Sequence, residues 1–211
     1  MDNIEQLVAS LSKEAQAVKP APRPWLLSMK WIAMAAAYLL IALLITGLRP
    51  DWSQQLHRPL FLIEVALLFG ILISTAFSAA ILAFPDLHQQ RRAAFAPVIV
   101  FALFVLTMLF AWLADTPPSP LPVHSFECTL SILMFSLLPS AGIFYAMRQF
   151  ASTHLRLSGL AAVLFAFSTG ALWLRLHEQT NSVIHLIEWH YLPMLAIGLA
   201  GLWLGKVILK W

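Results

Sequence analysis

The run Trp31–Leu48, WIAMAAAYLLIALLITGL, holds eighteen residues without one formal charge. At 1.5 Å per residue, about 20 mostly apolar residues cross a hydrocarbon core of roughly 30 Å, so this run reads as a membrane-spanning helix. Five more follow: Val65–Phe84, Ala93–Ala114, Thr129–Met147, Leu157–Leu174 and a last one from Ile184 to Leu209. None shows the apolar/polar alternation of a barrel strand, and each is about twice as long as such a strand requires. The fold class is therefore all-α: a polytopic bundle of six transmembrane helices, with spans near residues 27–48, 60–84, 93–114, 127–147, 156–176 and 185–209.

Composition agrees, with 60% hydrophobic residues and a mean hydropathy of +0.80, well above a soluble domain of this length. Connections are short, which favours antiparallel neighbours. Residues 1–24 form the one sizeable water-soluble piece and 25–211 the membrane domain. The first run is too long for a signal-peptide core and lacks a small-residue exit, so it is expected to remain in the membrane.

Orientation follows from the Lys and Arg residues that flank the spans. Lys13, Lys19, Arg23, Lys30, Arg91, Arg92, Arg148, Arg156, Lys206 and Lys210 fall on one side; only Arg49, Arg58 and Arg175 fall on the other. Ten of thirteen on one side places both termini in the cytoplasm. The pI near 9.3 is thereby spent on membrane flanks, and no direct contact with nucleic acid is expected. Trp25, Trp31, Trp52, Trp112, Trp189 and Trp211 lie near span ends, where the indole ring prefers the headgroup region.

In the amino-terminal segment, Ile4, Leu7, Val8 and Leu11 follow the i, i+3, i+4, i+7 spacing of one helical face. Asn3, Glu5, Gln6, Ser10 and Ser12 occupy the rest, Asp2 or Asn3 caps the helix, and Pro20, Pro22 and Pro24 end it and stiffen the tether. The face carries no Phe or Trp, and the first ten residues hold two acids and no base. Docking into a groove on a cytosolic protein suits it better than lying on an anionic leaflet.

The opposite side carries donor atoms. His57 lies in the first connection, His124 in the second, and His177, His185 and His190 at the third, with Cys128 at the start of the fourth span and Glu127, Glu178 and Glu188 nearby. Imidazole and thiolate suit a transition-metal ion, which makes His124, Cys128, His177, His185 and His190 candidate ligands, although no pair has the spacing of an established motif. One Cys excludes an intramolecular disulfide. Glu64 and Arg175 lie within the spans, where charge is costly; they are expected to pair with each other or with Arg49 and Asp51 as a clamp.

Gly201 and Gly205 form GxxxG in the last span, with Gly198 one turn earlier, a sign of close packing within the bundle first and of a homodimer second. There is no HExxH, GxSxG, phosphate-binding loop or dinucleotide fingerprint, and the spans are nearly free of catalytic side chains; no enzyme is expected. A small metal- or haem-binding membrane carrier, with the His residues as ligands, is the rival reading from another class.

Further marks run in order along the chain: Val18-Lys19-Pro20, Gly47-Leu48-Arg49-Pro50-Asp51, Pro59-Leu60-Phe61 with Glu64, Cys128, Trp189-His190, and Lys210-Trp211 at the end. On these the chain resembles the NrsF family of bacterial integral-membrane anti-sigma factors over nearly its whole length. The resemblance implies an inner-membrane protein whose amino-terminal tail binds an extracytoplasmic-function sigma factor and keeps it from RNA polymerase. It also implies a metal or oxidative cue on the far side, sensed by a pair of cysteines. Only Cys128 is kept here; Glu178 stands where the second would follow Leu176-His177. Cys128, Glu178, His177 and His190 are accordingly the candidate sensor residues, and a transition-metal ion is the one cofactor suggested.

Overall fold

The computed structural model describes residues 2–14, 22–85, 90–115 and 126–210. Among them there is no β-strand. Helix α1 (Asp2–Glu14) precedes the bundle; the long helices are α2 (Pro24–Thr46), α4 (Pro59–Leu82), α6 (Ala96–Ala114), α7 (Phe126–Met147), α8 (Leu155–His177) and α10 (Leu192–Ile208). Short helices α3 (Trp52–Gln55), α5 (Arg91–Ala94) and α9 (Val183–His185) prepare α4, α6 and α10, the last through a π-helical segment, Leu186–Tyr191. Counting α5 with α6 and α9 with α10, six apolar helices are long enough to cross a membrane, as the hydropathy pattern predicts.

Proline marks the starts. Pro24, Pro59, Pro97 and Pro193 each sit in a first helical turn, where the missing N–H is one the helix would leave unpaired anyway. The end of α2 is set by Gly47 at φ +84, a conformation that favours glycine, with its N–H donating to Leu43 O at 2.9 Å.

Helix α8 is the centre of the bundle. Helices α10, α4 and α7 lie along it, with α2 also in contact, while α6 packs on α4. The sequence permits this because α8 is rich in small residues: Ser158, Gly159, Ala161, Ala162, Ala166, Gly170 and Ala171 are all buried. A Cβ on Gly205 would fall on Leu155 O and the Gly159 backbone, and one on Gly159 would fall on Gly201 O. The GxxxG face of the last span is thus occupied by α8, within the bundle. By contrast Leu44, Ile45, Phe110 and Leu199 point outward from the bundle, as they do when hydrocarbon is the solvent.

Two prolines create carbonyls without a helical donor, and neighbouring helices supply the hydrogen. Pro139 inside α7 cannot donate to Phe135 O; the Tyr38 hydroxyl of α2 donates there instead, at 3.1 Å. Pro193 cannot donate to Trp189 O, and the Thr129 hydroxyl of α7 does so at 2.5 Å. An aromatic column runs from the first repair toward the far end of α8: Tyr38 meets Phe135 at a tilt, Phe135 stacks on Trp173 and Trp173 on His177.

At the end where α4 and α7 finish and α8 begins, the serines close the bundle. Ser152 and Ser158 both donate to Leu82 O, at 2.7 and 3.2 Å, and Ser78 donates to Ala94 O at 2.7 Å. Serine hydroxyls thus satisfy helix-terminal carbonyls there.

Candidate functional site

Both polar networks of interest lie at the opposite end, where the 47–58 and 178–182 connections meet. The first is the clamp. Arg175 near the end of α8 donates from Nε and Nη2 to Glu64 Oε1 and Oε2 of α4, at 2.8 and 2.9 Å, and from Nη1 to Thr180 O at 2.7 Å. The Tyr191 hydroxyl donates to Glu64 Oε1 as well. Arg49 makes a parallel two-point contact with Asp51, at 2.7 and 3.0 Å, and reaches Asn181 Oδ1 at 3.1 Å. Both guanidiniums lie over the Phe61 ring, Arg49 Cζ 5.4 Å and Arg175 Cζ 4.8 Å from its centroid. Each Arg takes the nearer carboxylate, one of the pairings anticipated from the sequence.

Asp51 lies outside the spans. The hydrogen bond from Arg49 holds its carboxyl well below the ordinary range, at about 2, and Gln55 Nε2 adds a second donor at 2.6 Å. Together these contacts pin the 47–58 connection, and Arg49 N–H donates to Leu176 O to fasten it to α8.

The second network joins Cys128 at the start of α7, Glu178 just past α8, His185 at the end of α9 and His190 in the π-helical segment. One donor atom from each lies within 4.8 Å of the others. The Cys128 thiol donates to Glu178 Oε1 at 3.5 Å, and the Thr180 hydroxyl donates to the same oxygen at 2.6 Å. His190 Nε2 stands 3.4 Å from Glu178 Oε2, an ion-pair distance without hydrogen-bond alignment. Burial pushes the Glu178 carboxyl up, but His190 and Thr180 outweigh it and hold the group at about 2. It is a carboxylate at neutral pH.

Winding explains the pair of imidazoles. In an α-helix, residues five apart point about 140° away from each other. In a π-helix, where the hydrogen bonds run between residues five apart, they lie one above the other. Here the winding at Leu186–Tyr191 brings the rings of His185 and His190 to 5.1 Å, edge to face. The turn after it carries Pro193, and Thr129, next to Cys128, secures the released Trp189 carbonyl. Both His side chains are fully enclosed, at 0% and 1% exposure. Among the described residues none of their four ring nitrogens has a hydrogen-bond partner, and neither has Glu178 Oε2. An orphaned buried polar atom ordinarily costs about 1–3 kcal/mol, so five in one place are a costly arrangement that a bound ligand would relieve. A thiol, a carboxylate and two imidazoles form a set that a transition-metal ion fits.

The other candidates fall elsewhere. His177 is apart from this cluster: its Nδ1 meets Gly47 O at 2.9 Å and its ring stacks on Trp173. His124 lies outside the described residues. Ile4, Leu7, Val8 and Leu11 are on one side of α1, at 69%, 57%, 59% and 58% exposure. Glu178 lies beside Cys128, its Oε1 3.5 Å from Sγ.

A family model described as negative regulator of sigma F matches residues 11–211. The chain belongs to the NrsF family. Two curated NrsF proteins align along its length: the anti-sigma-F factor NrsF of Caulobacter vibrioides (strain NA1000 / CB15N), 26% identical over 98% of this chain and 99% of that one, and the probable anti-sigma-F factor NrsF of Azospira oryzae (strain ATCC BAA-33 / DSM 13638 / PS), 28% identical over the same shares. No solved structure matches. An NrsF-family chain is by that description a regulator and not a catalyst, and the match begins within α1 and runs through all six spans.

Proposed function

We propose that this protein is a membrane-anchored anti-sigma factor that holds an extracytoplasmic-function sigma factor at the bacterial inner membrane through its amino-terminal segment. Both termini face the cytoplasm, as the ten-to-three division of Lys and Arg favours. The observation that carries the reading is α1: Ile4, Leu7, Val8 and Leu11 present one continuous apolar face, more than half exposed, on a helix whose other positions, apart from Ala9, are polar. Such a face buries itself against a groove. Membership of the NrsF family supplies the class of partner, and a sigma factor so held is kept from RNA polymerase. A cue at the opposite end, in the neighbourhood of Cys128 and Glu178, then shifts the packing of the bundle and weakens the hold; to do so it must favour the releasing conformation over the retaining one.

Co-expression of the full chain with an extracytoplasmic-function sigma factor of the same genome that the wild type retains tests the tail. Changing both Leu7→Asp and Leu11→Asp puts two charges into the proposed interface and is expected to abolish co-purification from detergent extracts while leaving the bundle folded. Undiminished retention would sink the proposal.

A further inference from the structure

We propose that Cys128, Glu178, His185 and His190 bind one zinc-class divalent cation, each giving one donor: Cys128 Sγ, a Glu178 carboxylate oxygen, and one ring nitrogen from each His.

The donors are already gathered. A tetrahedral ion with bonds of roughly 2.0–2.3 Å keeps its donors about 3.3–3.6 Å apart. The four atoms here lie within 4.8 Å of one another, so rotations that move the outermost by about 1 Å close the shell. The set is selective. Mg and Ca take oxygen donors, whereas thiolate with imidazole selects a borderline ion, and the single carboxylate counts against a purely soft one such as Cu(I). The charge closes too: a thiolate and a carboxylate neutralise a divalent cation, and the proton that leaves Cys128 on binding passes to solvent.

The surroundings support the same assignment. Glu178 Oε1 already accepts from Thr180, which leaves Oε2, without a hydrogen-bond partner among the described residues, for the ion. That is how neighbouring groups orient a ligating carboxylate. The imidazoles are enclosed, and among the described residues the four ring nitrogens of His185 and His190 have no hydrogen-bond partner. Four protein donors also fill a tetrahedral shell, which makes this a closed site that retains its ion rather than one that passes it on.

The ion would fasten three elements: the start of α7, the connection after α8 and the π-helical segment. Through Thr180, whose carbonyl accepts from Arg175 Nη1, the clip joins the Glu64–Arg175–Tyr191 network. Occupancy therefore controls how tightly the far ends of α7, α8 and α10 are held, and this goes beyond the anti-sigma reading.

The experiment uses the full chain purified in detergent. Elemental analysis after growth with zinc is expected to find roughly one ion per chain. Apo protein titrated with Co(II) alone should develop the ligand-field bands of a tetrahedral ion and a thiolate-to-Co charge-transfer band. Cys128→Ser, nearly isosteric, should remove that charge-transfer band; His185→Gln with His190→Gln should remove bound metal. Should the double variant not fold, the Cys128→Ser spectrum decides alone. A helical, monodisperse wild type that takes up neither Zn(II) nor Co(II) overturns the proposal, as does undiminished binding by folded variants. The variant with Leu7→Asp and Leu11→Asp should keep its full metal content, so failure of the tail and failure of the metal site read out separately.

Discussion

Replacing Glu64 by Gln should cost this bundle more than most single changes. Glu64 and Arg175 are buried, with 1% and 5% of their side chains exposed, and all the charge-assisted hydrogen bonds of the pair are made inside the protein. Removing one member of a buried pair leaves the other charge without compensation, which typically costs about 3–5 kcal/mol. In a chain of this size each kcal/mol moves the unfolding midpoint by about 2–4 °C, so Glu64→Gln should lower it by roughly 6–20 °C. The size of the side chain and the acceptor for the Tyr191 hydroxyl are kept, so packing is not the cause. Arg175→Met should show a loss of similar size. Thermal melts of the detergent-solubilised chain, followed by tryptophan fluorescence, measure both. The decisive comparison is the double variant, in which no orphaned charge remains: its loss should be smaller than the two single losses together by about 2 kcal/mol or more. Additive losses, or a Glu64→Gln midpoint equal to wild type, would refute the view that these residues act as one unit.

The Tyr38 hydroxyl replaces the donor that Pro139 lacks, at Phe135 O. Tyr38→Phe should therefore cost about 1–3 kcal/mol, and the loss should shrink in a Pro139→Ala background, where the backbone again donates; the same melts test this. Asp51 has its carboxyl held at about 2 by Arg49. A depressed carboxyl contributes stability that is fully present above the ordinary value near pH 3.9 and is lost as pH falls through about 2. The 47–58 connection should accordingly resist limited proteolysis by an acid-active protease down to about pH 4 and open below it, whereas in Asp51→Asn it should be cut throughout that range.

Much of the architecture was legible because hydrocarbon imposes a length and a composition on each element. Runs such as Trp31–Leu48 could hardly be anything but spanning helices, and the cost of charge in that medium singled out Glu64 and Arg175. The GxxxG of the last span announced a close contact but not its partner, which is Gly159 on α8. That α8 occupies the centre was written in its small residues, Ser158, Gly159, Ala161 and Ala162, but such residues are equally common on helices that face lipid.

The cluster at Cys128 was harder to read. His185 and His190 stand five apart, a spacing that an α-helix places on different faces, and only the π winding at Leu186–Tyr191 superposes them. Pro193, which leaves the Trp189 carbonyl to Thr129, was the local signal. His177 shared every sequence attribute of the other two, yet its ring stacks on Trp173 and its nitrogen meets Gly47.

By itself the sequence determined the all-α class, the six spans, the division of Lys and Arg between two sides and the amphipathic face of α1, because each depends on periodicity, length or charge along a single segment. The tertiary structure alone decided which helix is central, which carboxylate each Arg takes, and that Cys128, Glu178, His185 and His190 share one buried site while His177 does not. Those outcomes depend on how α4, α7, α8 and the π-helical turn meet in space, and contacts between segments far apart in the chain leave no period in the sequence.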